Sequence, residues 1–513
     1  MKKEKNLLGA VSSVMVIMIL SRLLSLLSVQ IYMSFYGVGD VQLNIYSYAI
    51  NIPNIIFTCI GTALSTVVIP IYVGHLSKNE LGKAKGFADN IITVSLSLTA
   101  VLVIIGMAIA PFLAKATSFA KTPESYAFCV KALMIVMPVM FFYALNYIFQ
   151  GMLQAVGRYS LPAFVSVPSS LVVIGYVFLL GDKFGVSGLL VATLIGLSLQ
   201  ALILIPPLWQ EGYRYSPKFH LKDDDIIKAG KMTLPVLLGV GAYQLNMLYN
   251  STMIARFEGM VTLLYYVQNI TVYMVLALIY SITAVIYPRL TEFFAKGDMD
   301  MYKETLSGIL KSVCALLIPL SFGYVGVRGE LLTLIANYGK ITEGDIDRAA
   351  ALLTMYAIGI LGLGLKEILD RSFYSLGDTR TSAVNGVVIM LVNVGLSLIL
   401  IQFIGAYGIP LSYSIASLVG MCVLLMRLKK KIGPFAKGLG TLIVKCIIAS
   451  LVMLLTVRLS AHFMGGDGSV LMRLVGLLIP VAIGLLIYAL VGTVLKIEPI
   501  TEFIGKFIRR GGK

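Results

Sequence analysis

The chain has 513 residues, of which 58% are hydrophobic and 13% charged, where an ordinary soluble domain carries about 25% charged residues. Its mean hydropathy of +0.90 would present large apolar patches to water, which excludes a soluble globular protein and leaves burial in a membrane. The formal net charge of +16 does not signal nucleic acid: no nucleic-acid-binding motif accompanies it, and basic residues mark the cytoplasmic loops of membrane proteins.

A spanning helix needs about 20 mostly apolar residues. On that criterion the chain carries fourteen spans, at about 7–34, 43–74, 86–113, 127–150, 160–181, 186–207, 232–255, 260–288, 305–327, 349–370, 381–403, 407–426, 438–461 and 470–495. The predicted fold is an all-α polytopic membrane protein. The first apolar stretch is too long for a signal peptide, and no small-residue cleavage site ends it. Lys2, Lys3 and Lys5 are therefore read as held in the cytoplasm ahead of span one.

Arg22 falls near the centre of span one, with no acidic residue within a turn. An arginine at mid-bilayer costs about 2.5–3.5 kcal/mol on insertion scales. It also lies too deep to reach the headgroups easily, so Arg22 is expected to line a polar cavity. Span two carries Asn44, Asn51 and Asn54, and Pro53 sits inside it. Span seven carries Tyr243, Asn246 and Asn250 at i, i+3 and i+7, one face of a helix. Span eight opens with Tyr265-Tyr266-Val267-Gln268-Asn269. Neutral amides at such positions serve either as interhelical hydrogen bonds or as cavity lining. Spans one, two, seven and eight hold these polar exceptions, as a central cleft between two lobes would require. Asn51, Asn54, Tyr243, Asn246, Asn250, Gln268 and Asn269 thus join Arg22 as candidate substrate contacts. Arg256 and Glu258, at the outer end of span seven, are candidate gate residues, with a place in headgroup water as the simpler reading. Near the cytoplasmic end of span ten, Lys366 with Asp370 and Glu367 with Arg371 are i, i+4 pairs, read as a local salt-bridge cluster.

The second six spans reproduce the first six at an offset of about 220 residues. Pro70 matches Pro288, Ala155-Val156-Gly157-Arg158 matches Ser375-Leu376-Gly377-Asp378, and Gly185-Val186-Ser187-Gly188 matches Gly405-Ala406-Tyr407-Gly408. An even number of spans per copy gives both copies one orientation, a parallel pseudo-repeat. The expected organisation is an N-terminal lobe at 1–213, an interlobe linker at 214–231, a C-terminal lobe at 232–433, and two extra helices with a basic tail at 434–513. The linker holds Asp223-Asp224-Asp225, read as a solvated helix start. Lys78, Lys83, Lys85, Arg214, Lys218, Lys222, Lys429, Lys430, Lys431, Lys506, Arg509 and Arg510 place the loops they occupy, and both termini, in the cytoplasm.

The five cysteines (Cys59, Cys129, Cys314, Cys422 and Cys446) form no C-x-x-C pair and read as small buried hydrophobes. His75, His220 and His462 are far apart, so no metal site is expected. There is no G-x-x-x-x-G-K-[ST], G-x-S-x-G or H-E-x-x-H segment, so neither an enzyme nor an ATP-burning pump is expected. A transporter without a cofactor, driven by the membrane potential or an ion gradient whose ion the sequence leaves open, fits instead.

Several segments carry a resemblance: IPNIIFTCIGTALSTVVIPIY (52–72), GYRYSPKF (212–219), LPVLLGVGAYQLN (234–246), VIYPRLTEFFAKGD (285–298) and FYSLGDTRTSAVNGVVIMLVNVGLSLIL (373–400). In these the chain resembles the MurJ family of lipid II flippases, within the superfamily that also holds multidrug and polysaccharide exporters. The resemblance implies two six-helix lobes, two further helices forming a groove for a prenyl tail, and alternating access in the bacterial cytoplasmic membrane. It implies a polyprenyl-linked glycan lipid as substrate, and makes cell-wall synthesis proteins candidate partners. Arg22 matches the first of the family's cavity arginines and would pair with the lipid diphosphate. Where the family carries further arginines, this sequence has Ser28, Phe57 or Thr58, and Asn269. The rival readings are an exporter of another polyprenyl-linked glycan, of sporulation or capsule type, and a drug/cation antiporter. The antiporter would want an intramembrane carboxylate, and in the first lobe Asp40 and Asp89 sit near span ends.

Overall fold

The computed structural model describes residues 2–156, 158, 160–336, 339–464 and 470–502. Among them all regular structure is helical. The basic tail residues Lys506, Arg509 and Arg510 lie outside the described residues, as does Gly157. The chain divides into two compact units, Met1–Thr262 and Leu263–Lys513.

The first unit holds α1 (Lys2–Tyr36), α2 (Val41–Ser77), α3 (Leu81–Lys115), α4 (Pro123–Val136), α5 (Val139–Ala155), α6 (Ser160–Phe164), α7 (Val167–Leu202), α8 (Ile205–Gln210) and α9 (Asp224–Ile254). Asp40 caps α2 by accepting from the Leu43 amide at 2.8 Å. Such a cap satisfies an amide that has no partner inside the helix. Pro53 is accommodated within an unbroken α2. Two predicted spans are interrupted. Span four breaks at Met137-Pro138 into α4 and α5, because proline removes a helical hydrogen bond and crowds the preceding turn. Span five begins with the short α6 before α7. Within α7, Gly185 turns the chain at φ 56°, ψ −151°, a region open essentially to glycine, and separates spans five and six.

The second unit holds α10 (Met260–Gln268, entering from the first unit), α11 (Met274–Ala295), α12 (Met299–Gly326), α13 (Arg328–Ala336), α14 (Glu343–Ser375), α15 (Thr379–Ile404), α16 (Gly408–Ile432), α17 (Leu439–Met464) and α18 (Val470–Val494). Helix α13 lies between predicted spans. A π-helical turn, Asn269–Tyr273, joins α10 to α11. The core is built where α14 packs on α16 and α12 packs on α17. The α14–α16 crossing is close because Gly359 and Gly362 face Ser414 and the Ser417–Leu418 backbone.

Nine helical stretches among the described residues are long and apolar enough to cross a membrane. Two of them, Val167–Gln210 with 44 residues and Thr379–Ile432 with 54, each suffice for two crossings. Large apolar side chains such as Leu179, Phe403 and Phe463 stand exposed on the outer faces, a surface suited to acyl chains and not to water. This also corrects the expectation for Cys422. It is exposed, whereas Cys129, Cys314 and Cys446 are buried; an apolar residue in a spanning helix can satisfy itself against lipid as well as core. The Cys59 side chain lies outside the described set.

The repeat is written into the backbone. Gly405 turns at φ 58°, ψ −134°, 220 residues after Gly185. Left-handed residues also match at Gly37 and Gly259, and at Asn79 and Gly297.

Candidate functional site

In the first unit, Arg22 is exposed on α1, with Leu20 and Leu23 exposed beside it. An arginine within a spanning helix is costly unless it is paired or reaches water. Asn51 on α2 is half-buried and donates Nδ2–H to Ser47 O at 2.8 Å. Asn54 is exposed and takes the Thr58 hydroxyl on its backbone and side-chain oxygens, at 2.6 and 3.3 Å. Asn44, the third polar residue of span two, is different. Its Nδ2 donates to Val38 O and Asp40 O, while its Oδ1 accepts from the Thr262 amide. It is a buried knot at the α1–α2 turn. Helix α9, which packs on α2, carries Tyr243 half-buried and Asn246 and Asn250 each 1% exposed.

Arg256 and Glu258 are exposed, and neither bonds the other. Arg256 donates Nε–H to Ala116 O at 3.1 Å, and Glu258 meets Lys121 at 2.7 Å. The Lys121 ammonium holds the Glu258 carboxyl below its usual range.

In the second unit, Gln268 is buried and donates to the Tyr356 hydroxyl of α14 at 2.7 Å. Asn269 opens the π-helical turn and donates to Tyr265 O at 2.8 Å. Tyr324 supports that turn by donating to Ile270 O at 2.6 Å. Such turns insert a residue into a helix and re-aim the side chains around them. Lys366 pairs with Asp370 at 3.0 Å, as its spacing predicts, and also with Glu367 at 3.0 Å. Glu367 and Arg371 do not pair; the Arg371 guanidinium lies 5.8 Å from the Tyr374 ring centre.

Two arrangements in the first unit, around the segment 213–225, escaped the sequence reading, because they join residues more than a hundred positions apart. The extended segment 213–220 is strapped along α3. Asp89 accepts from the Tyr213 hydroxyl at 2.8 Å and the Ser216 amide at 3.1 Å, and Asn90 exchanges two bonds of 2.9 Å with the His220 backbone. His75, at the end of α2, lies 3.0 Å from Glu80 and 2.8 Å from Asp225. The Glu80 hydrogen bond raises the His75 pKa, against burial and with help from Asp225. Asp223 caps α9 from its side chain, so the acidic run does start a helix. Its third carboxylate is engaged with His75.

The sequence profile described as lipid II flippase MurJ matches residues 34–479. The probable lipid II flippase MurJ of Treponema pallidum is 24% identical over 533 aligned positions, covering 99% of each chain. That of Buchnera aphidicola from Acyrthosiphon pisum is 23% identical, covering 90% of this chain and 91% of its own. A solved structure of lipid II flippase MurJ in an inward closed conformation superposes with a TM-score of 0.75 at 21% identity, covering 93% of this chain and 97% of the other. A multidrug resistance MATE family transporter superposes at 0.65 with 16% identity, covering 80% and 94%. These two likenesses show the fold.

Proposed function

Because the chain belongs to the lipid II flippase MurJ family, we propose that it carries lipid II from the inner to the outer leaflet of the cytoplasmic membrane by alternating access. As a member of that family it is a multi-pass membrane transporter serving peptidoglycan and cell-wall synthesis, not an enzyme. The profile match over residues 34–479 carries this reading. The lobes follow the sequence repeat, 1–213 and 232–433 about the linker 214–231, with 434–513 appended and both termini in the cytoplasm. Cell-wall synthesis proteins are its partners, and the membrane potential or an ion gradient drives it.

Arg22 is assigned to the lipid diphosphate, as the one cation retained at a cavity position. An Arg fork matches phosphate oxygens bidentately. Asn51, Asn54, Tyr243, Asn246, Asn250 and Asn269 serve the uncharged part of the headgroup, whose hydroxyls and amides want neutral donors and acceptors. Gln268 belongs to the same set, although its bond to Tyr356 ties it to its own unit. Arg256 and Glu258 act at the outer gate, where exposed ion pairs of low strength can break and reform. The test is replacement of the resident flippase in a bacterial host by this chain, reading lipid II accessibility at the outer leaflet. Growth with exposed lipid II supports the proposal, and lysis with lipid II retained inside refutes it.

A further inference from the structure

We propose that the first unit holds a zwitterionic phospholipid between its fifth and sixth spans, with one acyl chain in a groove between the two halves of α7 and the headgroup on Asp182 and Lys183. This site is independent of what the protein carries. The halves of α7, before and after Gly185, enclose a groove of about 540 Å³, within the range of about 300–1,000 Å³ common to small-ligand sites. Its walls are apolar. Leu179, Leu180 and Phe184 stand on the first half and Val191 and Ile195 on the second, and all five are exposed. An apolar recess of this size takes hydrocarbon and not water.

Tyr176 sets the spacing of the two halves. It is buried and donates its hydroxyl to Gly185 O at 2.6 Å. Its ring lies across Gly188, where a Cβ would stand 2.1 Å from the Tyr176 oxygen and 2.7 Å from its Cζ. From α1, Tyr36 donates to the same Gly185 oxygen at 3.2 Å, which fixes the turn. The second copy of the repeat is built differently. At the offset of 220, Leu396 stands for Tyr176 and Gly408 for Gly188. A Cβ on Gly408 would stand 2.7 Å from the Leu400 carbonyl carbon, so there the two spans close on backbone. In the first copy they rest on a ring.

The charges at the mouth select the lipid. Asp182 and Lys183 are exposed at the end of the fifth span. Lys183 Nζ lies 5.5 Å from the centre of the Phe184 ring, and Phe184 lines the groove, so the ammonium stands at its opening. The matching residues of the second copy, Gln402 and Phe403, carry no charge. With the N-terminus in the cytoplasm, as proposed above, this turn lies at the outer surface, where spans meet headgroups. An acid beside a base suits a headgroup of both signs: the ammonium takes the phosphate and the carboxylate takes the amine. An anionic phospholipid or a polyprenyl phosphate, with no amine to offer, would set its charge against Asp182.

The test is native mass spectrometry of the full chain in detergent, titrated with phosphatidylethanolamine, with phosphatidylglycerol of the same acyl chains, and with a polyprenyl phosphate. The parent should retain one phosphatidylethanolamine, about tenfold more tightly than either other lipid. A Cβ on Gly175, which lines the groove, meets nothing within 4 Å. Gly175→Leu therefore fills the groove without a clash and favours the helix, and should lose the lipid by about tenfold. Gly395→Leu, the matching change in the second copy, also enters open space and should retain it. Asp182→Asn with Lys183→Gln should bind both phospholipids equally. Equal retention by Gly175→Leu and the parent overturns the proposal, as does tighter binding of phosphatidylglycerol or of the polyprenyl phosphate by the parent. The paired charge variant alters exposed residues only, so it decides the matter even where Gly175→Leu fails to fold: a preference for phosphatidylethanolamine that survives it also overturns the proposal.

Discussion

Asp378 meets Lys431 at 2.6 Å, and the residues 220 positions earlier, Arg158 and Glu211, meet at the same distance with the charges exchanged. The duplicated helical unit has therefore kept an ion pair at one place in both copies while reversing its sign. Each pair ties the turn after the fourth span to the end of the sixth.

Reversal of sign makes a double exchange the informative experiment. Arg158→Glu with Glu211→Arg should fold like the parent, whereas Arg158→Glu alone should place two acids together. Both pairs are partly exposed, which keeps the penalty within about 1 kcal/mol. Thermal unfolding in detergent with varied salt checks this. A single variant as stable as the double, or a penalty that salt leaves unchanged, would argue against the pairing.

The His75 clasp carries a pH dependence whose sign follows from its partners. His75 is raised above its ordinary 6.5. Its contribution is complete below that value and is lost as pH rises through the higher folded one. Glu80 is lowered to about 2, first by the His75 hydrogen bond and then by Lys83. Its contribution is present above its ordinary 4.5 and fades as pH falls toward 2. The clasp is tightest between those two ordinary values. Protection from hydrogen exchange at the start of α9, taken relative to the intrinsic exchange rate at each pH, should fall as pH rises beyond neutrality, and His75→Gln should abolish that response. An unchanged profile in His75→Gln would remove His75 from the account.

The linker strap predicts a larger effect from one carboxylate. Asp89→Ala leaves the Tyr213 hydroxyl and the Ser216 amide without their acceptor. Leaving a buried donor unsatisfied costs about 1–3 kcal/mol. Limited proteolysis should cut within 213–220 in this variant and spare the parent.

At the α14–α16 crossing, a Cβ on Gly362 would stand 2.6 Å from the Leu418 amide nitrogen and 2.7 Å from the Ser417 carbonyl carbon. Those atoms are backbone and cannot rotate away. Gly362→Ala should therefore destabilise by about 1–3 kcal/mol, as overpacking does. Gly395→Ala, with open space around it, should be neutral on the same thermal assay. Equal stability of the two variants would contradict the crossing.

These contrasts show what the linear chain discloses. Spans, repeat offset and the Lys366–Asp370 pair were legible, because each depends on local hydropathy or on helical spacing. The turns at Gly185 and Gly405 were visible as matched glycines. What a side chain meets across helices was not. Gln268 with Tyr356, His75 with Asp225 and Asp89 with Tyr213 join residues 88, 150 and 124 positions apart, and no periodicity links them. Nor does spacing choose among neighbours. Glu367 sits at the right interval from Arg371 but takes Lys366, and the arginine turns to a ring. The break at Met137-Pro138 was missed because hydropathy runs straight through it.

The central claim is that Arg22 receives the diphosphate of lipid II. Its most direct measurement is the rate of lipid II movement between leaflets of vesicles containing Arg22→Ala, at equal protein content. A charge-assisted bond of about 1.5–3 kcal/mol predicts a rate about ten to a hundred times below the parent, with partial recovery in Arg22→Lys. Movement of lipid II by Arg22→Ala at the parental rate would contradict the account.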